Sequence, residues 1–242
     1  MSVKTKMMMQ WWHGPLGQYV LTQEKNVLQT LSRHFYGYFH LQIDGIENIL
    51  PQVIHSNKQT LMAEQAELNG EAECLPFKCY SVDNLLLPHV LEFSSDPHQV
   101  LREAERVLVA DGSLILCSFN PLSLWGLRRL FSWKSAPPWD GHFFTQARLK
   151  DWLSLLNFEV VATEKILFCP PVNKANWLKK LVFMDRWGNQ FWSLFGGATV
   201  LVATKRTIPL TPIKLDWRYK PFFPAGRFTK KPVTRWTSKS GH

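Results

Sequence analysis

The sequence lacks any imbalance of charge over most of its length. Up to Thr204 the lysines and arginines number 18, and so do the aspartates and glutamates. A uniformly basic nucleic-acid-binding domain is thereby excluded. Cysteine is scarce: Cys74, Cys79, Cys117 and Cys169 are all there are, none in a CxxC pair and none at finger spacing from a histidine. No zinc or other metal site is expected, and four cysteines in a chain this long make no disulfide framework. A reducing cytoplasm fits that usage. Long apolar runs are also missing, so nothing approaches the ~20 residues that a membrane span needs. The opening MSVKTKMMMQWW has an apolar patch, but His13-Gly14-Pro15 interrupts it too soon for a signal peptide. No internal repeat is visible.

What is present is a chain of 242 residues, 45% hydrophobic, which suits one large domain or one domain with appendages. Residues 1–37 read as an N-terminal helical segment, with Leu21, Val27, Leu28 and Leu31 near one face of a helix beginning at Pro15. Residues 38–205 read as an α/β domain and 206–242 as a tail. The tail, counted from Lys205, holds ten basic residues and one acid, Asp216, and so carries the whole net charge of +9. Its five prolines forbid a long helix or a central strand, and part of it is expected to be disordered.

The middle of the chain is the most legible part. Phe39 to Ile46 is a plausible first strand. Asp83 leads into Leu85-Leu86-Leu87, a run that Pro88 closes, as in a buried parallel strand. Asp96-Pro97 supplies an N-cap and a proline at the first helical position, and Val100, Leu101, Ala104, Val107 and Leu108 follow at helical spacing. Asp111-Gly112 reads as a turn, and Leu114 to Cys117 as a second buried strand that stops before Asn120-Pro121. This is a βαβ unit, whose crossover is almost always right-handed. Thr145 can cap a further helix with Leu149, Trp152, Leu153 and Leu156 inside, ended by Asn157. Phe158 to Phe168 and Thr199 to Thr204 read as two more strands around a tryptophan-rich insert at 173–195.

Residues 71–121 run EAECLPF, then SVDNLLLPHVLEFSSDPHQVLREAERVLVADGSLILCSFNP. This resembles the middle of the class I S-adenosylmethionine-dependent methyltransferases of the small-molecule type. Within that family the chain most resembles a small bacterial branch sharing the FNPLSLWGLRR run. The resemblance implies a three-layer, Rossmann-like fold with a mostly parallel seven-stranded sheet and a terminal antiparallel strand. It implies S-adenosylmethionine as cofactor, lying across the carboxyl ends of the strands, and methyl transfer to a small-molecule acceptor. Onto that cofactor site it maps Asp44, Gly45, Glu71, Ala72, His89 and Val90, with Asn120 on the substrate side. The sequence departs from the family in the loop after the first strand. Leu41 to Asn48 keeps a single glycine, Gly45, and Ile46 stands where another is expected. No clear counterpart exists for the acid that grips the ribose, with Glu64 the nearest candidate.

Several of these residues also have a plainer reading. Gly45 fits a simple turn, Glu71 a solvated acid, and Asn120-Pro121 a strand-breaking turn. His89, just past a buried strand, is the candidate catalytic base because an imidazole titrates near neutrality. A histidine satisfied by its surroundings is the alternative. The insert reads as a lid over substrate or, less favoured, a membrane-interface segment. The tail's basic residues and aromatic rings would suit single-stranded nucleic acid or anionic lipid. The rival functional reading is therefore a catalytically silent protein of this fold that binds a partner, RNA or an anionic membrane through its tail.

Overall fold

A computed structural model of the chain describes residues 3–43, 47–51, 58–62, 71–131, 137–172 and 195–207. Residues Met1–Thr207 form one compact unit and Ile208–His242 a second, which lies outside the described residues. The first unit begins with two helices, α1 (Val3–Trp12) and α2 (Pro15–Thr30), and a short 3-10 turn, Leu31–His34. The strands β1 (Phe39–Ile43), β2 (Lys58–Met62) and β3 (Val82–Pro88) follow. Next come α3 (Val90–Phe93), α4 (Pro97–Val107), β4 (Leu108–Phe119), α5 (Leu124–Phe131) and α6 (Gln146–Leu155). The strands β5 (Phe158–Ile166) and β6 (Ala198–Lys205) complete it.

These six strands form one sheet in the order β2-β1-β3-β4-β6-β5. The pairs β2-β1, β1-β3 and β3-β4 are parallel, and β6 runs antiparallel between β4 and β5. The expected terminal antiparallel strand is thus in place. Six of the expected seven strands are among the described residues. The order reverses between β1 and β3, so the carboxyl ends of those two strands flank the crevice where open α/β sheets take ligands.

Alternation along each strand sorts the core into two faces. Leu85, Leu87, Leu114, Leu116, Leu201 and Ala203 point to one face, against Val100, Leu101 and Ala104 of α4 and Leu149 and Leu153 of α6. Leu86, Ile115, Cys117, Phe119, Val200 and Val202 point to the other, against Leu16, Val20, Leu21 and Leu28 of α2. This is the period-2 pattern of strands meeting the wider stripe of helices. The expected caps hold: the Asp96 carboxylate accepts from the backbone N–H groups of His98 and Gln99, both at 3.0 Å, and Thr145 Oγ1 accepts from Arg148 N at 3.3 Å. Asn157, at φ 58, ends α6 in the left-handed conformation that its side chain tolerates.

The Asp111-Gly112 turn is absorbed into β4 as an irregularity. Leu108 pairs with Val82 and Ser113 with Asn84, so a longer stretch of β4 bulges opposite Asp83, with Asp111 at φ 59. Periodicity also did not reveal α3 or α5, of four and eight residues.

Candidate functional site

The carboxyl end of β3 is the centre of the arrangement. Pro88 ends the strand, and His89 takes a left-handed conformation, φ 55, before α3 begins. Its backbone N–H donates to Cys117 O of β4 at 2.9 Å. This turn sends the imidazole beneath α2 rather than outward. There Nε2 meets Glu24 Oε1 of α2 at 2.6 Å, and Nδ1 meets Glu92 Oε1 of α3 at 3.1 Å. The same Glu92 oxygen accepts from Phe119 N, at the end of β4, at 2.7 Å. His89 is 2% exposed, Glu24 0% and Glu92 1%. Three ionisable groups from three elements are therefore joined inside the protein, at the end of the sheet where ligands bind.

The electrostatics follow from that enclosure. Burial pushes the imidazole down, but the carboxylates of Glu24 and Glu92 overcome it and hold His89 up at about 10. His89 is then a cation at neutral pH with both nitrogens donating. A base needs a free lone pair, which this ring lacks while both carboxylates hold it. Two carboxylates against one imidazolium leave the cluster with excess negative charge. Among the described residues Glu24 Oε2 and Glu92 Oε2 have no hydrogen-bond partner. The same field, after burial itself, pushes the Cys117 thiol well up, so it stays protonated.

Aromatic rings wall this end. His89 stacks on Phe119 with ring centres 4.0 Å apart, and the Trp12 ring centre lies 5.7 Å from it. Phe119 in turn stacks on Trp125 of α5 and touches Phe143. Trp125 Nε1 donates to Cys169 O at 3.0 Å.

The other sequence candidates divide. Glu71 and Ala72 are brought to the same end of the sheet as His89 and Val90. Glu73 Oε1 accepts from Ser95 N, just before α4, at 3.0 Å, and Arg106 farther along α4 donates to Leu75 O and Phe77 O. The segment thus descends beside α4 with Glu71 at its upper end. Glu71 is exposed, pairing through its backbone with Cys74, while Ala72 packs on the α4 face. Val90 is buried on that same face. Asn120 is buried at the end of β4, its Nδ2 donating to Gly196 O at 3.1 Å and its Oδ1 accepting from Leu122 N at 3.0 Å. It thus ties β4 to the start of β6. Asp44, Gly45 and Ile46, with the alternative Glu64, lie outside the described residues, as do all but the last residue of the insert and the tail beyond Thr207.

Asp83 belongs to the opposite end. Its Oδ2 accepts from Tyr38 N and Phe39 N at 3.0 and 2.9 Å, closing the turn at Gly37, whose φ of 90 and contact with Asp83 admit no side chain. An open groove of about 690 Å³ lies at that end, between Tyr38, His40, Phe77 and Tyr80. It is remote from the crevice and plays no part in the site.

Glu24 was missed in the sequence, although a signal was there. Val20, Glu24 and Leu28 follow one another at four-residue steps, so an acid stands in the middle of an apolar stripe. Such a residue is buried only if something answers its charge.

Comparison with known proteins agrees with this architecture. The methyltransferase-domain family model matches residues 27–116. The chain is 34% identical over 209 residues to the uncharacterized protein YafS of Escherichia coli (strain K12), covering 83% of this chain and 82% of that one. In structure it is similar to a SAM-dependent methyltransferase from Thermotoga maritima, with a TM-score of 0.58, 20% identity, and coverage of 82% and 94% of the two chains. It is also similar to the [4+2]-cyclase SpnF, with a TM-score of 0.51, 13% identity, and coverage of 76% and 81%. The chain carries a methyltransferase domain over residues 27–116 and has the fold of the class I S-adenosylmethionine-dependent methyltransferases.

That family's cofactor carries a sulfonium, an ammonium and a carboxylate, one positive charge in all. The cluster of Glu24, Glu92 and His89 lies at the carboxyl ends of β3 and β4 but is enclosed, so it would act on that charge through its field and not by contact.

Among the described residues no helix is long and apolar enough to cross a membrane.

Proposed function

We propose that the chain transfers a methyl group from S-adenosylmethionine to a small-molecule acceptor in the cytoplasm. The observation that carries this reading is the β2-β1-β3-β4-β6-β5 sheet, with its switch point beside His89, in a chain bearing a methyltransferase domain. When bound, S-adenosylmethionine supplies an electrophilic methyl group whose departure leaves a neutral thioether. The protein's own part is positioning, desolvation and charge placement.

In this reading Asp44 and Gly45 hold the cofactor from the loop after β1, and Glu71 and Ala72 hold its adenine side. The backbone of His89 and Val90 lines its methyl-bearing end, and Asn120 shapes the acceptor side. His89 acts as a fixed cation that sets Glu24 and Glu92 in place, not as the proton acceptor. A proton lost by the acceptor leaves to water.

Isothermal titration with S-adenosylmethionine and with S-adenosylhomocysteine tests the proposal. Binding of either in the micromolar range is expected, and no heat at millimolar concentration overturns it. The single glycine between Leu41 and Asn48 favours a second reading: a silent member of the fold that binds a partner, RNA or an anionic membrane through the tail. The same titration separates the two. Nothing but heat from cofactor supports the first, and a salt-dependent retention on RNA that vanishes on truncation after Lys205 supports the second.

A further inference from the structure

We propose that the buried carboxylates of Glu24, from α2, and Glu92, from α3, make the chain prefer S-adenosylmethionine to S-adenosylhomocysteine. This rests on the methyl-transfer reading and extends it to the charge on sulfur. The two ligands share the adenosine, the ammonium and the carboxylate. They differ by one methyl group and the positive charge that goes with it.

Geometry puts the cluster where that charge would be felt. The backbone of His89, which the reading places at the methyl-bearing end, carries the imidazole that Glu24 meets at 2.6 Å and Glu92 at 3.1 Å. Glu92 Oε1 also accepts from Phe119 N at 2.7 Å, so one carboxylate spans the ends of β3 and β4. The backbone carbonyl of Glu92 accepts from His142 N at 2.8 Å, which draws the segment before α6 to the same place. Among the described residues the other buried histidine and lysine, His40 and Lys205, stand at the opposite end of the sheet, bonded to Asn84 and to Leu108 O.

Packing alone does not require this charge. One carboxylate answers one imidazolium, and Glu24 by itself would tie α2 to the turn after β3. The second leaves a net negative charge in the interior, with Glu24 Oε2 and Glu92 Oε2 unpartnered among the described residues. Such an uncompensated buried charge is costly. The rings of Trp12 and Phe119, with Val20 and Leu28 one turn to either side of Glu24, keep water from screening it. A sulfonium at the carboxyl ends of β3 and β4 offsets that charge, and a thioether does not. The product of transfer is held less tightly for the same reason, which favours its release.

Isothermal titration of the full chain with each ligand is the test, because the ratio of the two dissociation constants cancels whatever the ligands share. The double variant Glu24→Gln with Glu92→Gln keeps the side-chain shapes and removes both negative charges, whatever proton the imidazole then holds. Thermal unfolding checks that it is folded. The ratio of the S-adenosylhomocysteine constant to the S-adenosylmethionine constant should fall roughly fivefold in the variant. A loss of packing alone would weaken both ligands together and leave the ratio where it was, which overturns the proposal. In the unaltered protein the ratio should hold to within about twofold between low and half-molar salt, since an enclosed charge is screened little. A larger movement with salt assigns the discrimination to exposed charges and overturns the proposal even where the variant does not fold. Heat from neither ligand overturns the methyl-transfer reading and this inference with it. Heat from both with an unmoved ratio overturns this inference alone.

Discussion

The two faces of the sheet are built by different means. On the face of α4 and α6 the core is mainly leucine, valine and alanine, with Trp152 and Phe158 among them, and each helix begins at a side-chain cap, Asp96 or Thr145; a buried Lys205 meets Glu105 of α4 at 2.9 Å at the far end. On the face of α1 and α2 the helix α2 begins at Gly14 with no side-chain cap. Its register on the sheet is marked by a buried ion cluster and a run of aromatic rings instead. The first face is fixed by local signals and apolar area. The second carries, besides its apolar area, a long-range polar contact at the ligand-binding end, Glu24 to His89, sixty-five residues apart. Buried ionic groups seldom add net stability, because taking them out of water costs about as much as their attraction returns. What they can supply is uniqueness of placement, and here the placement is that of the ligand-binding end of β3.

The largest effect should come from breaking that cluster. His89→Leu removes the cation and leaves the Glu24 and Glu92 carboxylates facing each other in a closed interior. A loss of about 3–5 kcal/mol is expected from chemical denaturation. If the loss were under about 1 kcal/mol, the cluster would be no more than a tolerated feature of the core. On the other face Leu101→Ala removes a fully buried side chain between α4 and the sheet. It should cost about 3 kcal/mol, as a cavity of that size does. The two losses are similar in size but differ in kind, which their pH dependence reveals.

The imidazole is held above its ordinary 6.5, at about 10. A group with a raised folded-state value binds its proton more tightly in the folded protein. Its contribution is therefore fully present below about pH 6.5 and is lost as pH rises through about 10. Urea unfolding of the unaltered protein and of Leu101→Ala should show the same decline over that window. Glu24→Gln should flatten it, because one of the two groups that raise the imidazole is gone. An unchanged slope in Glu24→Gln would mean that His89 is not the group responsible.

The same contrast explains what could be read in the sequence. Asp96-Pro97, the spacing of Val100, Leu101 and Ala104, and the run Leu114 to Cys117 are local signals, and the structure realises each of them. The strand order and the antiparallel β6 followed from the family pattern that these segments carry. The cluster was not legible, because Glu24 and His89 meet only through the tertiary fold. Glu24 lies on an apolar stripe as an exception, and an exception gives no partner. His89 was picked out as a base from its place after a strand, yet its role depends on what α2 lays over it. Short helices were lost for another reason: α3 has four residues and α5 eight, too few turns for a period to stand out. Residues 44–46, on which the glycine-loop reading rests, lie outside the described structure.

The smallest effect expected is at a cap. Asp96→Ala removes the acceptor for two backbone N–H groups at the first turn of α4 and should cost about 1 kcal/mol. Its value lies in combination. Asp96 acts on the α4 face and His89 on the α2 face, and the two side chains share no partner among the contacts described. If the faces are independent, the double variant Asp96→Ala with His89→Leu should lose the sum of the separate costs to within about 0.5 kcal/mol. They are joined in sequence, however, by α3, which carries Glu92 and ends four residues before Pro97. A shortfall of more than about 1 kcal/mol would show that the cap at α4 and the ion cluster set the same short helix. The apolar face would then be helping to hold the ligand-binding end, and the division between a face for stability and a face for placement would have to be given up.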